Sequence, residues 1–191
     1  MLFPKIQFPI SRIFLALLIA GITCGMAHAE THQSSALDAS FDVPAGWRVK
    51  EFGGSETINV FVSPENPDGS QPRKWTTFSV MRRSPGVDGY PVPKDLAEAV
   101  AETIRAMNTS DEYSDALPHS EISEEDVQFA GMPSKKLSYI SEPGAPQERK
   151  AVSFLVLKDG FFFSVSFLCE THDYEQDWPG ANQLFESFKF N

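Results

Sequence analysis

Cys169, Glu170, Thr171, His172 and Asp173 set a thiol, an imidazole and two carboxylates within five consecutive residues. Two chemistries use such groups. A thiolate beside an imidazole that a carboxylate orients is a nucleophile. Thiolate, imidazole and carboxylate converging on one point are the ligand types of zinc. On the first reading Cys169 attacks, His172 is its base and Asp173 or Glu175 is the third member. On the second, Cys169, His172 and Asp173 begin a metal site that His32 or His119 would have to complete from far along the chain.

The surrounding sequence supplies neither a nucleophile elbow nor paired metal-ligand spacing. It also lacks a phosphate-cradling glycine loop, an HExxH helix motif and a full EF-hand loop. "NPDGS" at 66–70 resembles a fragment of a calcium loop but needs no ion to serve as a turn. The carboxylates of "SEEDV" at 123–127 are neighbours along the chain, which reads as a solvated edge rather than a general acid/base pair.

What must position the cluster is a strand and a helix. "QERKAVSFLVLKDGFFFSVSFLCE" is two long apolar runs joined at Asp159-Gly160, a dipeptide that closes hairpins. On the second run Phe161, Phe163, Val165, Phe167 and Cys169 share one face. Cys169 is thus in phase with the aromatic core, where a thiol behaves as a small hydrophobe and its pKa rises. Thr171 then opens a helix over "HDYEQDWPGANQLFESF", with Thr171 or Asp173 near its N-cap and Pro179-Gly180 interrupting or restarting it. The cluster is where that buried strand meets water.

The remaining elements follow from periodicity. "LDASFDVPAGWRV" is a short strand broken at Pro44-Ala45-Gly46 and resumed through Trp47, and residues 30–35 before it read as a loose leader. Ile58, Val60 and Val62 alternate on one strand, and Trp75, Thr77, Ser79 and Met81 alternate against Thr76, Phe78 and Val80 on the next. Leu96, Val100, Ile104 and Met107 form the apolar face of an amphipathic helix, begun by Pro93 and Asp95. An acidic link over 108–126 leads to a strand near Ile122 or Val127, and Gly131-Met132-Pro133 turns the chain into "SKKLSYIS".

Ahead of all this, Lys5 and Arg12 precede an apolar run, Ile13 to Ile22, too short to span a bilayer, and small residues end at Ala29. The pattern predicts a signal peptide at 1–29, cut after Ala29, and a single domain at 30–191. Lipidation at Cys24 is disfavoured because Gly21 and Thr23 depart from a lipobox. The predicted location is periplasmic or secreted, with no stable membrane anchor after cleavage. Of 16 basic residues the leader takes Lys5 and Arg12, leaving 14 against 26 acidic, a net charge of −12. Nucleic acid and anionic lipid surfaces are poor partners for such a chain, and no nucleic-acid partner is expected. Cys169 is then the one remaining cysteine, so the core holds the fold without a disulfide.

"FDVPAGWRV", two or three strands, one amphipathic helix, "GMPSKKLSY", the strand "DGFFFSVSF" and a closing helix ending "LFESFKF" together resemble the Mog1p/PsbP/DcrB-like superfamily from Phe41 to Phe190. The resemblance implies an α+β fold, an α/β/α sandwich with a central, mainly antiparallel sheet flanked by helices. It implies structural roles for Gly46 and Trp47 as opening turn and core anchor, Gly131 ahead of the central strand, and Phe188 closing the last element. Members of that superfamily are mostly non-catalytic, and fold alone does not transfer function.

The function expected is an exported, non-catalytic binding or assembly module without a cofactor, acting through an envelope protein or a small ligand. Phe162, Leu155 and Leu157, out of phase with the core face, are candidates to line a groove; the competing expectation is a sheet covered on both faces, where they are core. The alternative function is a metal-binding or thiol-dependent protein using Cys169, His172 and Asp173.

Overall fold

The computed structural model describes residues 29–53, 57–65, 76–85, 91–109 and 118–191, with backbone only at residues 57 and 58. Residues 1–28 with Cys24, the 66–70 segment, Trp75 and residues 110–117 of the acidic link lie outside the described residues, and with them most of the expected signal peptide. Along the chain run β1 (Glu30–Ser34), β2 (Ala39–Val43), β3 (Trp47–Gly53), β4 (Thr57–Pro64), β5 (Thr77–Arg83), α1 (Leu96–Asn108), β6 (Ser123–Phe129), β7 (Met132–Ser141), β8 (Arg149–Lys158), β9 (Phe161–Glu170), α2 (Tyr174–Ser187) and β10 (Lys189–Phe190).

Seven strands form one sheet in the order β3-β4-β5-β9-β8-β7-β6, and β1-β2-β10 form a second. Every pairing is antiparallel. The expected hairpin is present: β8 and β9 pair along their whole length, from Arg149 opposite Glu170 to Lys158 opposite Phe161. Asp159 and Gly160 turn it with φ of 52° and 81°, the two positive values that a type I′ connection requires.

Strand alternation gives the large sheet two different faces. Phe163, Val165, Phe167 and Cys169 of β9 pack with Val60, Val62, Phe78, Val80, Val152 and Val156, under Ala181, Leu184 and Phe185 of α2 and beside Phe41 and Phe188. Residues of opposite parity, Phe162, Leu155 and Leu137, pack under Ala99 and Val100 of α1. One helix on each face makes the α/β/α sandwich. Burying a phenylalanine or leucine side chain contributes about 2 to 3 kcal/mol, so both faces anchor the sheet.

Helix α1 begins as its sequence indicates. The Asp95 carboxylate accepts the Glu98 backbone N–H at 2.8 Å, and the Glu98 carboxylate accepts the N–H of Lys94 at 2.7 Å, a reciprocal cap.

Four expectations are corrected. Residues 30–34 are not a loose leader but β1, paired with β2 from Glu30 opposite Val43 to Ser34 opposite Ala39; a polar edge strand held by backbone bonds carries no hydrophobic period to reveal it. Through Pro44-Ala45-Gly46 the strand does not simply resume, because β2 and β3 belong to different sheets. Gly131, with φ of 78°, precedes β7, which is second from the edge; the central strand is β9. Pro179 lies inside a continuous α2 rather than interrupting it. Pro179 and Glu175 are on the exposed side of α2, so the carbonyl that loses its N–H partner meets water.

Candidate functional site

Helix α2 covers only part of its face of the large sheet, and between it and β7–β8 a cleft of about 450 Å³ remains. That volume falls within the range of small-molecule sites, about 300 to 1,000 Å³. Its floor is lined by β7 and β8, with Lys136, Ser138, Ile140, Lys150, Val152 and Phe154 sharing one face and the pair Tyr139 and Ala151 of the opposite parity also reaching it. Its wall is the α2 stripe Tyr174, Trp178, Asn182 and Phe185.

The rings of the wall pack on each other and on the sheet. Tyr174 and Trp178 stack with centroids 5.3 Å apart and planes 16° from parallel. Phe185 meets Phe154 edge-on at 4.9 Å, and Phe154 stacks on Phe129 at 4.5 Å. Burial pushes the Tyr174 phenol up from its ordinary value, with the nearby Glu175 charge adding to the effect.

Two cations flank this apolar surface. Lys150 Nζ sits 4.4 Å from the centre of the Tyr174 ring, a cation–π contact. It has no ion-pair partner among the described residues, Glu148 acting on it only at longer range. Lys136 Nζ lies 3.4 Å from Glu125. Lys150 is opposite Ile140 and Lys136 is opposite Phe154, so the two residues stand at opposite ends of the floor, four residues or about 13 Å apart along the strand direction.

The predicted reactive cluster is divided by the same alternation. Cys169 is completely buried. Its sulfur lies 3.4 Å from Thr76 Oγ1 and 3.8 Å from Asp177 Oδ2, and Thr76 donates to that same oxygen at 2.8 Å. Burial is the chief cause that pushes the Cys169 thiol up to about 11, with Asp177 and Asp173 adding to it. A thiol so held is protonated at neutral pH.

His172, by contrast, exposes 70 % of its side chain and lies 3.3 Å from Glu170 and 3.6 Å from Asp173. The residues whose ligand atoms come together, within 4.8 Å, are Glu170, His172 and Asp173. Glu170 therefore stands where the sequence suggested Cys169. His119 is elsewhere, bonded to Asn108 and facing Tyr139, and His32 pairs with Glu51.

The groove candidates are likewise placed. Phe162 and Leu155 are core residues, 2 % and 0 % exposed, beneath α1, and Leu157 packs at the border of that cluster. The covered-sheet expectation holds for them. Trp47 and Phe188 do anchor the first core: Phe188 stacks on Phe41 at 6.0 Å, and Trp47 packs against the cluster. The cleft residues were not singled out from sequence. Their signal is a mismatch: the inward face of β8 is apolar at Val152 and Phe154, while that of its neighbour β7 reads Lys136, Ser138, Ile140.

A seven-stranded antiparallel sheet with one helix on each face is a PsbP-like α+β fold, as the resemblance implied. The solution structure of cyanobacterial PsbP (CyanoP) from Synechocystis sp. PCC 6803 is similar with a TM-score of 0.60 and 14 % identity, over 88 % of this chain and 96 % of that one. A crystal structure from Bacteroides thetaiotaomicron VPI-5482 is similar with a TM-score of 0.51 and 11 % identity, over 86 % of this chain and 49 % of that one. LpqN of Mycobacterium tuberculosis, described as involved in cell envelope biogenesis, has a TM-score of 0.48 and 12 % identity, over 79 % and 82 % of the two chains. No protein-family model and no curated protein sequence matches the chain. Among the described residues no helix is long and apolar enough to cross a membrane.

Proposed function

We propose that this chain is an exported, non-catalytic binding module of the cell envelope that holds an envelope partner or a small ligand in the cleft between α2 and β7–β8. The observation that carries the reading is the cleft itself: an aromatic wall on α2 and a mainly apolar floor on β7–β8, left open between the helix and the sheet. An apolar concavity with a few fixed polar groups is the usual form of a binding site. The thiol that chemistry would require is inside the core and protonated. Export rests on the leader, with its positive start, short apolar run and small residues ending at Ala29.

The test is a photo-crosslinking residue at Ser138, on the cleft floor, compared in the producing cells with one at Glu175, on the outer side of α2. Intact-mass analysis of the envelope fraction is expected to show a chain starting at Glu30 that carries an adduct from position 138 and none from 175. Equal adducts from both positions, or a chain that keeps residues 1–29 in the cytoplasm, would contradict it.

A further inference from the structure

Beyond the existence of the cleft, and resting on it as the binding site, we infer that its occupant is a small amphipathic anion, a carboxylate on an aliphatic chain, held head-first at Lys150. The size of the site points to a small molecule: about 450 Å³ is a concavity, whereas stable protein interfaces engage about 800 Å² on each partner.

Charge sets the direction. The chain carries a net charge of −10, yet the side chains that border this cleft include two lysines and no carboxylate. Lys136 is already engaged by Glu125. Lys150 is held over Tyr174 with no ion-pair partner among the described residues, so its ammonium keeps its donors available to a carboxylate arriving at that end. From there Val152 and Phe154 continue the floor, and Trp178 and Phe185 continue the wall, towards the Lys136 end. That track of about 13 Å offers apolar contact to the tail and no cation until its far end. Asn182, in the same wall, is already engaged, its amide N–H donating to the Glu186 carboxylate at 2.7 Å.

The test titrates decanoate and decanol, both below the concentrations at which they self-associate, into the wild-type protein, Lys150→Gln and Ser138→Trp. Calorimetry and Trp fluorescence read the binding, and circular dichroism verifies the fold. Decanoate is expected to bind wild type with one site and to bind Lys150→Gln about tenfold or more weakly, the loss of one charge-assisted bond. Decanol is expected to bind wild type and Lys150→Gln alike, and Ser138→Trp to lose both ligands. Lys150→Glu provides a second variant, expected to weaken decanoate further.

Decanoate no tighter than decanol, or indifferent to both Lys150 variants, overturns the anion while leaving the cleft as a binding site. Failure of either compound to saturate overturns the inference, and the crosslink at position 138 then decides the cleft separately. A dimer that Ser138→Trp converts to monomer would assign the cleft to a second copy of the chain and also overturn it.

Discussion

Gly180 of α2 lies so close to Trp47 of β3 that a Cβ built on it would stand 2.7 Å from Trp47 Cζ2 and 2.9 Å from Cε2. The indole at the entrance to the large sheet is thus seated directly on helix backbone. Alanine in a helix is ordinarily favoured over glycine by about 1 kcal/mol. Here steric overlap exceeds that preference, and Gly180→Ala is expected to destabilise the protein by about 1 to 3 kcal/mol in urea unfolding. In a Trp47→Leu background the same substitution should become neutral or stabilising, and a double-mutant cycle measures the coupling. A stabilising Gly180→Ala in the wild-type background would show that this close approach does not exist.

Phe162 is core, so Phe162→Ser should cost about 3 to 5 kcal/mol, enough to unfold a domain of ordinary stability. Chemical denaturation reads this directly. A variant that keeps the wild-type midpoint would return Phe162 to an open surface.

Cys169 should resist alkylation in the native state at pH 8 and react at once in denaturant. Its folded pKa of about 11 stands above its ordinary 9.0. Between those values the folded chain holds a proton that the unfolded chain has released. Stability therefore falls as pH rises through the window, by at most about 2 kcal/mol, and is unaffected below it. Cys169→Ala should lack that increment, and subtracting its profile removes the contributions of tyrosines and lysines that titrate nearby. Equal slopes for the two proteins from pH 9 to 11 would contradict the buried thiol.

Ala130 and Gly131 turn β6 into β7 with φ of 50° and 78°. A non-glycine residue in that region is strained by about 1 to 2 kcal/mol unless its side chain can bond locally. Ala130→Asn creates the dipeptide such turns prefer and should raise stability by about 0.5 to 1 kcal/mol, seen as a higher melting temperature. An unchanged or lower value would mean that the turn has another geometry.

The fold was legible where periodicity is strong. The β8–β9 hairpin, the α1 face from Leu96 to Met107 and the burial of Cys169 all follow from alternation or helical spacing in the chain. Legibility failed where backbone bonding or tertiary cover decides. Residues 30–34 are polar at most positions, so only their pairing with β2 makes them a strand. Phe162 and Val152 are equally apolar in sequence; which of them borders a cleft depends on α1 spanning one face and α2 leaving part of the other uncovered. The cleft is therefore a property of helix placement, to which the local pattern on β7 gives only the Lys136, Ser138, Ile140 signal. The Cys169 to Asp173 cluster failed as a unit for a simpler reason: strand alternation sends Cys169 and Glu170 to opposite faces.

The cleft between α2 and β7–β8 is a binding site only if something occupies it. Native mass spectrometry of the protein purified gently from the cells that produce it tests this most directly, with the wild type and Ser138→Trp side by side. A wild-type population carrying a bound mass that is absent from Ser138→Trp is expected, with both chains folded. A bound mass present equally in both, or absent from both, would contradict it.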